Sequence, residues 1–208
     1  MCCPTPSEDH KPKGKANRRK VPFWYNGLET RERIRAAIRE NPNQMTMLLA
    51  RQFDVPEVEI VRAFPDDRAI ELDAQRWEEL IRSLEAFGKV HVIVSNGGAT
   101  LEANGQFGNF STTGDFFNVQ TKSLDMHIRW REIGAVFAVE KPGHLDGKKT
   151  LSFQFFDRRG HSAFKVFLGF GATIPPEKVE QFNKGKVQKK VIGIYPHVAR
   201  HKSFRAAA

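Results

Sequence analysis

Cysteine is nearly absent from this 208-residue chain: Cys2 and Cys3 stand side by side at the start and none follows. That removes a disulfide framework and any cysteine-based metal site from the body. The two thiols read as incidental features of a flexible terminus, with acylation or oxidative cross-linking as their other uses. Long apolar runs are missing too; nothing approaches the ~18–20 residues of a membrane-crossing helix. The stretch KPKGKANRRK (11–20) is polar throughout, which speaks against a secretory or lipoprotein leader and for a cytoplasmic protein. There is no phosphate-binding glycine motif and no acid/base pair of telling spacing, so no catalytic constellation emerges.

Positive charge is plentiful but unevenly placed. The formal net charge is +9. Residues 1–22 carry +4, residues 23–88 carry −4, residues 89–182 carry +2 and residues 183–208 carry +7. Basicity therefore sits in two tails around a nearly neutral body. A pI near 9.7 would ordinarily point to nucleic acid; here it describes the ends, and nucleic acid is not the expected partner. Residues 1–22 offer almost nothing to bury and are expected to be disordered. Residues 184–208 form a second basic tail, whose VIGIYP segment is apolar enough to dock somewhere.

The best-patterned stretch is 124–168. Leu124, Met126, Ile128 and Trp130 alternate with Asp125, His127 and Arg129, the period of a half-buried strand. Residues 135–139 (AVFAV) read as a more buried strand. A third places Leu151, Phe153 and Phe155 on one face and Ser152 and Gln154 on the other. After the turn at Gly160, a fourth sends Phe164, Val166 and Leu168 inward, opposite His161, Ala163, Lys165 and Phe167. Short, turn-rich links predict a four-stranded antiparallel meander.

Upstream, the spacing predicts helices over 31–40, 44–53 and 56–63, with Thr30 as a cap and Pro56 at a first helical position. Phe23-Trp24-Tyr25 is expected to dock on the first of them. The three resemble a helix-turn-helix. A DNA-reading helix, however, leads with Arg, Lys, Asn or Gln. This one leads with Pro56, Glu57 and Glu59, so the reading is a structural cap on the sheet. An edge strand at 69–72, a helix over 74–87 capped by Asp73 and ended by Gly88, and a hairpin about Asn96-Gly97-Gly98 follow. Residues 106–110 and 115–120 are expected to continue the same sheet, and a last helix spans 177–182.

DMHIRW, AVFAVEK and TLSFQFFDRRGHSAFKVFL, in that order, resemble the HemS/ChuX/HutX haem-utilisation family. The likeness extends back through GKVHVIVSNGGATLEANGQFGNFSTTGDFFN (88–118), more loosely to about Leu28, and forward to about Phe182. It covers one copy of a domain that HemS-type members carry twice. The resemblance implies non-covalent binding of b-type haem and a homodimer. It places His127 at a histidine of ChuX-like members. The tyrosine of HutX-like members falls at Phe116, the first ChuX-type histidine at Ser95 and the HemS-type histidine near Ala103. His127 is thus the expected ligand to haem iron, with His91 and His161 as alternatives. Arg129 and Arg131 would stand about 7 and 13 Å along the same face if the strand continues, suited to propionate carboxylates.

These readings converge on an α+β protein: a large antiparallel β-sheet with helices packed at one end and an N-terminal helical cap. Residues 23–88 form the cap and 89–183 the sheet with its closing helix, as one domain between the tails 1–22 and 184–208. The expected function is a cytoplasmic haem carrier in iron utilisation. The alternatives are a haem-degrading enzyme of the same family and a nucleic-acid binder acting through its tails and cap.

Overall fold

The computed structural model describes residues 27–169 and 173–186. Cys2, Cys3, the 23–25 aromatic triplet and the VIGIYP segment lie outside the described residues. The helices are α1 (Gly27–Glu40), α2 (Thr46–Phe53), α3 (Glu57–Arg62), α4 (Trp77–Ser83) and α5 (Pro176–Lys186). The strands are β1 (Ala69–Leu72), β2 (Lys89–Ser95), β3 (Thr100–Gln106), β4 (Phe110–Thr113), β5 (Phe116–Gln120), β6 (Asp125–Arg129), β7 (Ile133–Pro142), β8 (Lys149–Asp157) and β9 (Ser162–Phe167). Six strands form one antiparallel sheet in the order β1-β7-β8-β9-β2-β3, and β4-β5-β6 form a second sheet of three.

The expected α+β class with a large antiparallel sheet is what the structure contains. Its middle strand, β8, is buried on both sides from Leu151 to Phe156. Leu151, Phe153 and Phe155 belong to a core shared with Leu80, Ile81 and Leu84 around α4, Phe117, Val119 and Ile128 from the small sheet, and Phe182 from α5. Each such side chain removed from water contributes about 1.5–3 kcal/mol. Phe156, on the opposite face, packs with Phe137 and Val139 of β7 under Val58 and Val61 of α3. The cap has its own small core of Ile34, Ile38, Leu49 and Ile60. Glu57, Val58, Ile60 and Val61 of α3 are all buried. That is the structural-cap arrangement, with no free helix face left for a DNA groove on those positions.

Two expectations fail. The predicted four-stranded meander has three strands, β7, β8 and β9. The fourth, β6, pairs with β5 instead, because residues Trp130–Glu132 make a 3-10 turn between it and β7. Likewise, beyond Gln106 the stretches expected at 106–110 and 115–120 leave the large sheet, and β4 and β5 pair in the small one. Gly108 and Asn109 take φ values of +153° and +47°, turning the chain away after β3, and the Asn109 side-chain amide donates to the Gln120 carbonyl at 2.7 Å. The small sheet then packs back so closely that a Cβ on Gly105 would lie 2.8 Å from Leu124 Cβ.

Smaller differences concern helix ends. The 74–87 helix is α only over Trp77–Ser83, with 3-10 turns before and after. Asp73 does accept from the Gln75 amide at 2.9 Å, while Ser83 Oγ donates to the Leu80 carbonyl at 2.6 Å, competing with helical pairing in the last turn. Pro56 sits one residue before α3 rather than within it, and α5 runs on to Lys186.

The cap is seated by a glycine. Gly160, in the β8–β9 turn, has φ +84°, and a Cβ there would lie 2.5 Å from Val58 Cγ1 and 2.9 Å from Pro56 Cβ. Its carbonyl also accepts from the Val58 amide at 3.0 Å. Left-handed strain and overpacking each cost about 1–3 kcal/mol. Gly160→Ala should lower stability by about 2–4 kcal/mol in urea unfolding; a loss below about 0.5 kcal/mol would show that the cap does not depend on this contact.

Candidate functional site

The register Phe116↔Arg129, Asn118↔His127 sets these four side chains on the outer face of the small sheet. Asn118 is buried and donates from Nδ2 to Ser111 Oγ (3.1 Å) and Thr113 Oγ1 (3.3 Å). Its Oδ1 therefore faces His127 Nδ1, 2.8 Å away, and acts as acceptor. That arrangement puts the imidazole proton on Nδ1 and leaves Nε2 with its lone pair outward. The ring is 55 % exposed, with Nε2 3.6 Å from Asp125 Oδ1. Phe116 meets it edge-on at 6.4 Å between centroids, and the Arg129 guanidinium lies 5.3 Å over the Phe116 ring. The arrangement presents one imidazole nitrogen, an aromatic plane and a cation side by side.

The other expected residues fall elsewhere. The strand ends at Arg129, so Arg131 does not share its face by strand alternation. It lies over the Trp130 ring at 5.1 Å and pairs with Asp115 at 3.3 Å, in the turn before Phe116. His91 is only 5 % exposed. Its Nδ1 is 3.1 Å from Asn104 Oδ1 and its Nε2 2.9 Å from Glu102 Oε2, so both ring nitrogens are already engaged by β3. His161 is exposed in the β8–β9 turn, 3.6 Å from Asp157. The structure brings neither to the His127 face. Among the described residues, no group of three or more His, Cys, Asp or Glu could hold a bare metal ion.

A cavity of about 370 Å³ lies on the cap side of the large sheet. Its floor is Ile93, Ser95, Gln154, Lys165 and Phe167, alternate residues of β2, β8 and β9; Thr100 and Glu102 of β3 extend it. Met45, Thr46, Met47 and Glu57 form one wall, and Lys141 with the loop 143–146 forms the other. Lys165 Nζ donates to Glu57 at 2.5 Å and to Thr46 Oγ1 at 3.2 Å, tying the starts of α2 and α3 to the floor. Among the described residues Lys141 Nζ donates only to carbonyls, of Pro142 at 2.6 Å and Asn43 at 3.5 Å. Burial, and then the like charge of Lys165, push its pKa down from 10.5 to about 8. His144 and Leu145 stand at the rim, Leu145 being 80 % exposed.

Sequence reasoning missed this cavity. It treated His144 as a loop residue and gave Lys141 no role. The available signal was Lys165 on the face opposite Phe164 and Val166, in a strand whose both faces prove to be covered over much of its length.

Residues 70–184 match the family described as Haem utilisation ChuX/HutX. The chain is 25% identical over 163 residues to the intracellular heme transport protein HutX of Vibrio cholerae, covering 76% of this chain and 83% of that one. Among solved structures it is similar to the heme binding protein ChuX, at 20% identity and a TM-score of 0.66, over 74% of this chain and 97% of that one. It is similar also to the heme degrading enzyme ChuS of Escherichia coli O157:H7, at 20% identity and a TM-score of 0.66, over 85% of this chain and 52% of that one.

The depressed Lys141 pKa has a consequence for stability. The unfolded chain holds this proton up to about pH 10.4 and the folded chain only to about pH 8, so between those values unfolding takes up a proton. Stability contributed by this group is therefore least below pH 8 and rises toward pH 10. Desolvation depresses Lys178 in the same direction, so the readout is a difference. In urea unfolding, the parent should gain stability relative to Lys141→Met as pH goes from 8 to 10; parallel curves would show that Lys141 is ordinarily solvated.

Proposed function

Since the chain belongs to the ChuX/HutX haem utilisation family, we propose that it is a cytoplasmic haem carrier, holding b-type haem non-covalently and passing it on intact. The observation that carries this reading is the family match, joined by the similarity to an intracellular heme transport protein. Among the described residues no helix is long and apolar enough to cross a membrane.

The residues of the small sheet fit the group. His127 would hold the iron through Nε2, since Asn118 engages its Nδ1. Arg129, beside Phe116, and Arg131, at the rim, would meet propionates. Bound haem would supply an iron centre with one position for this imidazole. The face is open, so a second copy of the chain would have to cover the porphyrin, which is the support for a homodimer.

A second placement is favoured by enclosure. The cavity offers Met45, Met47, Ile93 and Phe167 as apolar walls, Lys141 and Lys165 as cations, and His144 as a rim imidazole, the usual make-up of a small-molecule pocket.

A haemin titration separates the two. On the first placement, His127→Ala shifts the ferric spectrum. Arg129→Ala and Arg131→Ala weaken binding about tenfold to a hundredfold, the ~1.5–3 kcal/mol of a charged hydrogen bond, without changing ligation. On the second, those variants bind as the parent does, and His144→Ala and Lys141→Met carry the losses. Light scattering with and without haem checks the dimer. Reductant leaves the Soret band of a carrier intact; bleaching, or no binding in any form, would overturn the carrier reading.

A further inference from the structure

The carboxylates that line the cavity are all occupied by partners other than Lys141. Glu57 pairs with Lys165, Glu102 with His91, and Asp146 with Lys148 at 3.2 Å. Glu140, next in sequence to Lys141, points to the other face and pairs with Arg68, Lys149 and Lys186. Among the described residues Lys141 is left as an ammonium without a carboxylate partner, held by two carbonyls in the cavity wall, with a second ammonium in the same cavity. Desolvation and a neighbouring cation are the two conditions that turn a lysine from a point charge into a nucleophile.

We propose that Lys141 is a reactive amine that condenses with small apolar aldehydes or ketones admitted to the cavity, forming an imine. The neutral Nζ lone pair attacks the carbonyl carbon, and one N–H proton is transferred to the carbonyl oxygen, giving a carbinolamine. Loss of the second N–H proton together with the hydroxyl, as water, leaves the C=N bond, and no oxidant or reductant is consumed. Met45, Met47, Ile93 and Phe167 favour a carbonyl compound with an apolar body. The like charge of Lys165 in the same cavity disfavours a proton on Lys141. With a pKa of about 8, roughly one Lys141 in ten is neutral at pH 7, against fewer than one in a thousand for a free lysine. The inference concerns the haem-free chain; on the second placement, haem and a carbonyl compound would compete for this cavity.

The test is reductive trapping on the haem-free full chain, with benzaldehyde and cyanoborohydride, read by peptide mass spectrometry. At pH 7, Lys141 should be alkylated about tenfold or more faster than the exposed Lys122 and Lys148, and the advantage should disappear by pH 10. Equal or slower labelling of Lys141 at pH 7 overturns the proposal, and this comparison needs no variant. Lys165→Gln, checked by its urea curve, should slow Lys141 labelling at pH 7 severalfold while Lys122 is unaffected. An unchanged rate in a folded Lys165→Gln would refute the part given to the second ammonium. Labelling and the haemin titration fail independently, so each reading can fall without the other.

Discussion

Burial of β8 on both sides is the constraint from which the architecture follows. A strand carrying Leu151, Phe153 and Phe155 on one face and Phe156 on the other is stable only if two layers cover it. One layer is built from α4, α5 and the small sheet, with Trp77 wedged between Phe117 and Trp130. The other is the helical cap. Each layer is secured where backbone approaches backbone closely: Gly105 admits Leu124 on one side and Gly160 admits Val58 on the other. Side chains at either glycine would prise a layer from the sheet.

The cap is too short to cover its whole face, and the cavity is what it leaves. Ser152 and Gln154 bond to each other, the Gln154 amide donating to Ser152 Oγ at 3.1 Å, while Gln154 Oε1 is buried without a partner among the described residues. Toward β3 the floor opens, and there the fold places a charged bond, Lys165 to Glu57, where helix starts meet the sheet. Truncating one member of such a pair strands the other charge in a low-dielectric setting, so the pair holds position more than it adds stability. Lys141, on the far wall, receives the field of Lys165 and has no ion-pair partner among the described residues. Its chemistry is a product of that geometry.

The His127 face obeys a different logic. It is outside the large core and its order comes from a chain of hydrogen bonds, Ser111 and Thr113 to Asn118 to His127. Such a chain fixes a tautomer without enclosing a ligand. The cavity encloses without presenting an outward imidazole of known tautomer.

Much of this was legible in the chain itself. The alternation of 124–130 and 151–168 determined which side chains turn inward, since period two is a local property of the strand and burial follows it. Asp73, Gly88 and Asn96-Gly97-Gly98 determined where elements begin, end and turn, because φ and capping preferences act over a few residues. The ordered motifs determined the family. Partner choice was decided only in three dimensions. The same alternation suits β6 whether it pairs with β5 or β7, and a short 3-10 turn settled the matter. The polar faces of β8 and β9 carry no local sign that helices from the start of the chain will cover them. For the same reason nothing local singled out Lys141: desolvation is set by what packs around a group, and those neighbours come from the segment before α2 and from β9.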